Sequence, residues 1–285
     1  MSSENWFTEL SDSGTIFGLE LTEAGKLHEE QTPFQTLAIY DTKTFGKLMT
    51  LDGCTMVTTR DNFVYHEMMA HPVLFSHPAP KRVCIIGGGD CGTLREVLKH
   101  PEVESVIQID IDERVTRVSE QYFPELCESN NDPRATLAFE DGIVWIQNAA
   151  PGSLDVLIVD STDPVGPGAV LYSEEFFRSC WNALGDKGLL VQQSESPLVH
   201  AHKIIKPMHD TMRKAGFSAI QLHQFQQVCY PTGWWSCTIA AKSGQIEFTR
   251  QADAQALAFP TQYYNAGIHQ GSAALPQFLK VLLAK

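Results

Sequence analysis

The chain has 285 residues, enough to bury about three-quarters of its unfolded surface in a self-sufficient core, and too few for two full catalytic domains. Its 21 basic and 34 acidic residues leave a net charge of −13, which argues against nucleic-acid binding, whose footprint is a basic patch, and suits a cationic substrate. Hydrophobic residues at 43% and charged residues at 19% describe a globular chain, and with no run of about 18 apolar residues no membrane span is expected. The first residues, Met1 to Asn5, lack a basic stretch followed by an apolar one, so no signal peptide is expected either. Residues 1–60 read as a small β-rich module, with strands at Thr36–Tyr40 and Lys47–Met49 and an Asp52-Gly53 turn, suited to an oligomer face. Residues 61–80 read as a helix and linker: Phe63, Glu67, Ala70 and Leu74 form one stripe, Pro72 is expected to kink or end the helix, and Pro78-Ala79-Pro80 follows.

From Lys81 to the end the pattern predicts one α/β domain. Val83-Cys84-Ile85-Ile86 reads as a strand buried on both faces, followed by a glycine loop and then Leu94, Val97 and Leu98 at helical spacing. The cycle repeats at strand 105–109 with helix 113–122, strand 136–139 with helix 143–149, and strand 154–159 with helix 173–184, and closes on strand 189–191. Five such units predict a doubly wound, mostly parallel sheet with helices on both faces. Val228–Tyr230 and Ser236–Ala241 read as added strands. Seven cysteines, an odd number without a CxxC pair, form neither a disulfide framework nor a zinc pattern; a reducing cytoplasm and no metal are expected. His200 and His202 lie two apart, unlike a zinc motif, and read as surface or helix-start residues.

Open α/β sheets bind ligands beyond the carboxyl ends of their strands, and here those ends carry acids. Gly87-Gly88-Gly89-Asp90-Cys91-Gly92 fits G-x-G-x-x-G, which alone admits NAD, FAD or an adenosylmethionine-type nucleoside. Asp90 discriminates: a carboxylate in that loop repels a diphosphate and attracts a nucleoside bearing positive charge. Asp110 ends the second strand, where ribose hydroxyls are bound; Glu140-Asp141-Gly142 ends the third, and Asp160-Ser161-Thr162-Asp163-Pro164 the fourth. A carboxylate cluster of Asp90, Asp160 and Asp163 would draw a polycation and raise one member's pKa toward base strength. The plain alternatives are a turn acid at Asp90, a solvated strand-end acid at Asp110 and a helix cap at Asp163.

These motifs, with Tyr65-His66-Glu67-Met68, Tyr230-Pro231-Thr232-Gly233 and Tyr263-Tyr264-Asn265, resemble the spermidine synthases, a family of polyamine aminopropyltransferases, over nearly the whole chain. The resemblance implies a Rossmann-like, class I methyltransferase-type domain behind a small N-terminal antiparallel β domain. It implies decarboxylated S-adenosylmethionine as co-substrate, putrescine as acceptor, no prosthetic group, and a homodimer or homotetramer. On the donor side it implies Gln35 near the sulfur, Gly87 and Gly89 in the loop, Asp110 at the ribose, Asp141 and Gly142 at the adenine, and Pro167 packing beside it. On the acceptor side it implies Tyr65, His66, Asp90, Ser161, Thr162, Asp163 and Tyr230, with Asp160 as proton acceptor. Members usually carry glutamine and glutamate where this chain has Met56 and Thr59, glycine at Cys91 and threonine at Cys229. The plain reading of Met56 and Thr59 is neutral change in a loop; the alternative is a more apolar wall of the acceptor channel, on which cadaverine or a longer amine competes better than in a relative with glutamine and glutamate. Two other readings share the nucleoside pocket: an amine N-methyltransferase, whose donor's carboxylate Asp90 would repel, and a nucleoside-binding regulator without turnover, to which Asp160 is superfluous.

Overall fold

In a computed structural model, which describes residues 5–11, 14–162 and 166–284, the chain folds around two sheets. The first is an antiparallel meander in sequence order: β1 (Trp6–Leu10), β2 (Ile16–Gln31), β3 (Thr36–Thr42), β4 (Gly46–Leu51) and β5 (Cys54–Thr58). Asp52 and Gly53 both take positive φ, +50° and +82°, and close the two-residue β4–β5 hairpin as Asp-Gly should. Leu37, Ile39, Met49, Leu51 and Val57 from this sheet bury against Val115, Val118, Phe123 and Leu126, so the meander is sealed onto the rest of the chain by an apolar layer.

The second sheet has the strand order β11-β12-β10-β9-β6-β7-β8, with β6 (Arg82–Gly87), β7 (Ser105–Asp110), β8 (Ala135–Phe139), β9 (Leu154–Asp160), β10 (Leu184–Gln193), β11 (Ala219–Phe225) and β12 (Trp235–Ala241). Strands β6 to β10 run parallel and β12 is antiparallel to both its neighbours. The chain winds outward from β6 in one direction through β7 and β8 and in the other through β9 and β10. The β6/β9 boundary is therefore the switch point, where a crevice opens at the carboxyl ends. Helices α2 (Gly92–Leu98), α3 (Glu113–Tyr122), α4 (Gly142–Asn148), α5 (Glu174–Ala183) and α6 (Lys206–Ala215) cross between strands, and α7 (Gln251–Gln255), α8 (Ala266–Ser272) and α9 (Gln277–Leu283) close the chain. Among the described residues no helix is long and apolar enough to cross a membrane.

Three expectations change. Helix α1 (Asn62–Ser76) does not end at Pro72 but continues to Ser76, and the carbonyl that Pro72 leaves without an N–H donor, that of Met68, accepts from the Cys237 thiol at 3.5 Å. α1 is buried on nearly every face instead of along one stripe, since it is packed within the large core. Residues 228–230 are a turn, tied by Tyr230 N to Gln227 O at 3.2 Å, and the added strand lies earlier, at β11. The long β2 was not foreseen because its burial pattern alternates only in part.

Candidate active site

Gly87 and Asp160 are register partners at the ends of β6 and β9, and everything at the site is built outward from that pair. Gly87 has φ +82°, and a Cβ there would collide with the Asp160 carbonyl; Gly88 N then donates to that same carbonyl at 2.8 Å. The glycine loop is thus stapled to the end of β9. Cys91, where the family pattern has glycine, sits in the left-handed region at φ +69° and caps the start of α2. A Cβ on Gly92 would fall inside the His66 imidazole, so its bare backbone is what lets α1 lie against the head of α2.

This close approach brings five side chains from distant segments together. Tyr65 Oη donates to Asp160 Oδ1 at 2.6 Å, and Thr93 Oγ1 donates to Asp160 Oδ2 at 2.6 Å. His66 Nε2 lies 3.1 Å from Asp90 Oδ2, while Asp90 Oδ1 accepts from Gly92 N at 2.8 Å. Desolvation by the surrounding protein, and then the neighbouring Asp90 charge, push the Asp160 carboxyl above the ordinary carboxylate value, against the two hydroxyl bonds that lower it. Burial alone would raise Asp90 too, but the charge and hydrogen bond of His66 outweigh it and hold Asp90 down; His66 is raised in return by Asp90, against burial. The two carboxylates are therefore driven apart: one fixed as an anion, the other moved toward proton acceptance.

A cavity of about 230 Å³ opens beside Tyr65 and Ser161. Tyr230 forms one wall, edge-on to Tyr65 at 5.8 Å between ring centres, with its hydroxyl donating to the Met56 carbonyl at 2.8 Å. Burial, with the Asp160 and Asp90 charges behind it, keeps the Tyr230 phenol far from ionising. Two further acids line the cavity, Glu9 and Glu195. Glu9 accepts from Thr55 N at 2.8 Å and is raised by burial and, more weakly, by the charge of Glu195. Glu195 pairs with His200 Nδ1 at 3.2 Å.

On the other side of the glycine loop lie the acids of β7 and β8. Asp110 accepts from Asp112 N at 2.8 Å and also from the Gly89 backbone; burial raises its carboxyl to about 6 despite those bonds. A Cβ on Gly89 would stand 2.7 Å from Asp110 Oδ2, so that glycine too gives the carboxylate its place. Gln35 Nε2 donates to Asp112 Oδ2 at 2.9 Å, which brings the β2–β3 turn of the meander to the same strand end. Asp141 caps α4 through Ile143 N at 2.8 Å, and Gly142 lies against Ile86.

The structure therefore gathers Tyr65, His66, Asp90, Ser161, Thr162 and Tyr230 around Asp160, and Gln35, Gly89 and Asp110 around the end of β7. Pro167 lies in a 3-10 turn, Gly166–Tyr172, and Asp163 lies outside the described residues. Thr93, Glu9 and Glu195 were missed; Thr93 lies inside a helix and the two glutamates carry no motif, so only their distant partners reveal them. His200 caps a π-helical turn as expected of a helix-start residue, and it also lines the cavity. Met56 lines the cavity as expected, but Thr59 does not: it is exposed on the meander, where its Oγ1 accepts from Lys47 N at 3.1 Å. None of the seven cysteines is in a disulfide.

Comparison with known proteins bears on the same residues. A family model described as the spermine/spermidine synthase domain matches residues 62–250, and one described as the spermidine synthase tetramerisation domain matches residues 5–59. The chain is 61% identical over 282 residues to the polyamine aminopropyltransferase of Thioalkalivibrio sulfidiphilus (strain HL-EbGR7), covering 98% of both chains. It is 60% identical over 277 residues to that of Methylococcus capsulatus (strain ATCC 33009 / NCIMB 11132 / Bath), covering 97% of this chain and 96% of that one. Among solved structures, spermidine synthase in complex with the transition-state analogue AdoDATO superposes with a TM-score of 0.93 at 33% identity, over 99% of this chain and 96% of that chain. The spermidine synthase of Thermotoga maritima gives 0.91 at 33% identity, over 99% and 95%.

Proposed function

The chain belongs to the spermine/spermidine synthase family and is a polyamine aminopropyltransferase, and we propose on that premise that it moves the aminopropyl group of decarboxylated S-adenosylmethionine onto putrescine. The products are spermidine and 5'-methylthioadenosine. The observation that carries the reading is Asp160: a carboxylate raised above its ordinary value, held by two hydroxyls, beside a cavity with further acids on its wall.

An alkylamine resembles lysine, with a pKa near ~10.4, and so arrives protonated and without a free electron pair. Asp160 takes that proton. Each unit by which the base rises and the amine falls removes about 1.4 kcal/mol from the transfer, so the desolvated setting works on both partners. The freed nitrogen attacks the methylene carbon next to the sulfonium, the carbon–sulfur bond breaks, and its electron pair stays on sulfur, which departs as a neutral thioether. Little electrophilic help is needed, and alignment of nitrogen, carbon and sulfur supplies most of the rate. In this reading Asp110 binds the ribose hydroxyls, Asp141 and Gly142 face the adenine with Pro167 beside it, and Gln35 stands near the sulfur. His66, Asp90, Ser161, Thr162, Asp163 and Tyr230 hold the amine, with Tyr65 beside the attacking nitrogen. The Ser161 hydroxyl, buried and without a partner among the described residues, is free to accept an ammonium. Glu9 and Glu195 suit a second ammonium, which is why a diamine fits better than a monoamine.

The match of residues 5–59 to a tetramerisation domain favours a homodimer or homotetramer built through the meander, and seven cysteines without a CxxC pair favour a reducing cytoplasm. Incubation with the decarboxylated donor and each of propylamine, putrescine and cadaverine, followed by mass spectrometry of products, tests the reading. Spermidine and methylthioadenosine are expected with putrescine; product with S-adenosylmethionine and none with the decarboxylated donor would overturn it.

A further inference from the structure

Thr93 has no part in the reaction as written above, yet it makes one of the shortest side-chain contacts at the site. It is the second residue of α2 and is fully buried. A threonine at such a position usually returns its hydroxyl to the carbonyl three or four residues earlier. Here the carbonyl four residues back is that of Gly89, and it already accepts from Thr116 Oγ1 at 2.8 Å. Thr93 Oγ1 turns instead to Asp160 Oδ2, 2.6 Å away, and it must donate, because an ionised carboxylate only accepts. The main chain of Asp160 is already held by Gly88 N and its other oxygen by Tyr65. Thr93 supplies the last constraint on the carboxylate plane.

We propose that Thr93 is a positioning residue for the base: its hydroxyl fixes the Asp160 carboxylate in the orientation that meets the amine and holds it as the anion until the amine arrives. This rests on the reading of Asp160 as proton acceptor. A carboxylate oxygen has two lone-pair sites, so the oxygen bound to Thr93 or Tyr65 still has room for the ammonium proton. A hydrogen bond to the charged form favours that form, opposing the desolvation and the Asp90 charge that act the other way. The groups that face Asp160 are Tyr65 and His66 from α1, Asp90 from the glycine loop, Asp110 from β7 and Tyr230 from the loop before β12. None of these is altered by a change at Thr93.

The test is the pH profile of kcat/KM for the diamine, at saturating donor, in the parent, T93V, T93S and D160N. Valine keeps the shape and removes the donor. In T93V the acid limb is expected to move up by about one pH unit, the scale of one charge-assisted hydrogen bond. T93S should restore the parent limb, and the thioadenosine Kd should stay within about twofold in both variants. If T93V does not fold, T93A carries the same expectation, with melting temperature measured alongside. A T93V profile lowered at every pH with its limb unmoved, while D160N is inactive, would overturn the role of Thr93 and leave the base in place. D160N retaining more than half the parent rate would overturn the base itself, and the role of Thr93 with it.

Discussion

The two halves of the cleft are built from the same kind of group in opposite ways. On the donor side, Asp110 and Asp141 lie at the ends of neighbouring parallel strands and are held by backbone N–H groups, at Asp112 and Gly89 for Asp110 and at Ile143 for Asp141. On the acceptor side, Asp160 is held by hydroxyls 95 and 67 residues away in the chain, and Asp90 by an imidazole 24 residues before it. Backbone donors fix a carboxylate that only has to receive hydroxyls. Burial and a like charge move the Asp160 carboxylate toward taking a proton, while the two hydroxyls hold it in place and oppose that shift. The carboxylates of the donor half are thus held by backbone N–H groups, and the acceptor half is an assembly of side chains from α1, α2, the glycine loop, the meander and the 226–233 loop. It stands or falls with their packing.

The largest effect that would break this contrast is expected at its centre. Asp160→Asn keeps the acceptors and donors in place, since the Tyr65 hydroxyl can still donate and that of Thr93 can turn to accept, but it removes the base. Turnover should fall at least ~100-fold with thioadenosine binding retained, as read from single-turnover product formation and calorimetry. A rate above half that of the parent would remove Asp160 from the chemistry.

Asp61 tests whether the acceptor half is an assembly. Its carboxylate accepts from Thr58 Oγ1 at 2.6 Å and from Cys229 N at 2.9 Å, 168 residues away, and so pins the Tyr230 loop to the head of α1. Asp61→Ala leaves a buried backbone N–H unpaired, at a cost of about 1–3 kcal/mol. We expect the melting temperature to fall and kcat/KM for the diamine to drop several-fold as the Tyr230 loop loses its anchor, while the thioadenosine Kd moves less than twofold. An equal loss on both sides would mean that the two halves are not separable.

The donor half has its own signature in pH. Asp110 in the unliganded protein is raised to about 6. Ribose hydroxyls donate to the ionised form, so binding lowers that pKa; affinity is full above about pH 6 and falls as the pH drops through it, by at most about tenfold per unit. Titration calorimetry with thioadenosine from about pH 5 to 8 should follow this slope, and Asp110→Asn should flatten it. A flat profile in the parent would take Asp110 off the ribose.

The smallest expected effect concerns acceptor length. Met56 lines the cavity and Thr59 does not. Met56→Gln should reduce the preference for each added methylene by up to ~0.8 kcal/mol, about fourfold in kcat/KM across putrescine and cadaverine. Thr59→Glu should leave the length profile unchanged. A shift caused by Thr59→Glu would reverse the assignment of the cavity wall.

The amino-acid order alone determined what local rules can reach. An apolar run, then a glycine loop, then helical spacing identified β6 and α2. Acids placed straight after apolar runs marked Asp110, Asp141 and Asp160, because in a parallel sheet every strand end opens on one edge. Tertiary structure decided the rest. Pro72 does not end α1: a local rule counts a missing N–H, whereas the Met68 carbonyl finds a donor in Cys237, 169 residues away. Thr93, Glu9 and Glu195 look in sequence like any buried hydroxyl or surface acid; each acquires meaning only from what the fold sets against it. Thr59 shows the reverse, a position close in sequence to the site that the turn out of β5 carries to the surface. The physical reason is common to all of them: strand ends and turns are set by neighbours along the chain, while the charge state and aim of a buried side chain are set by neighbours in space.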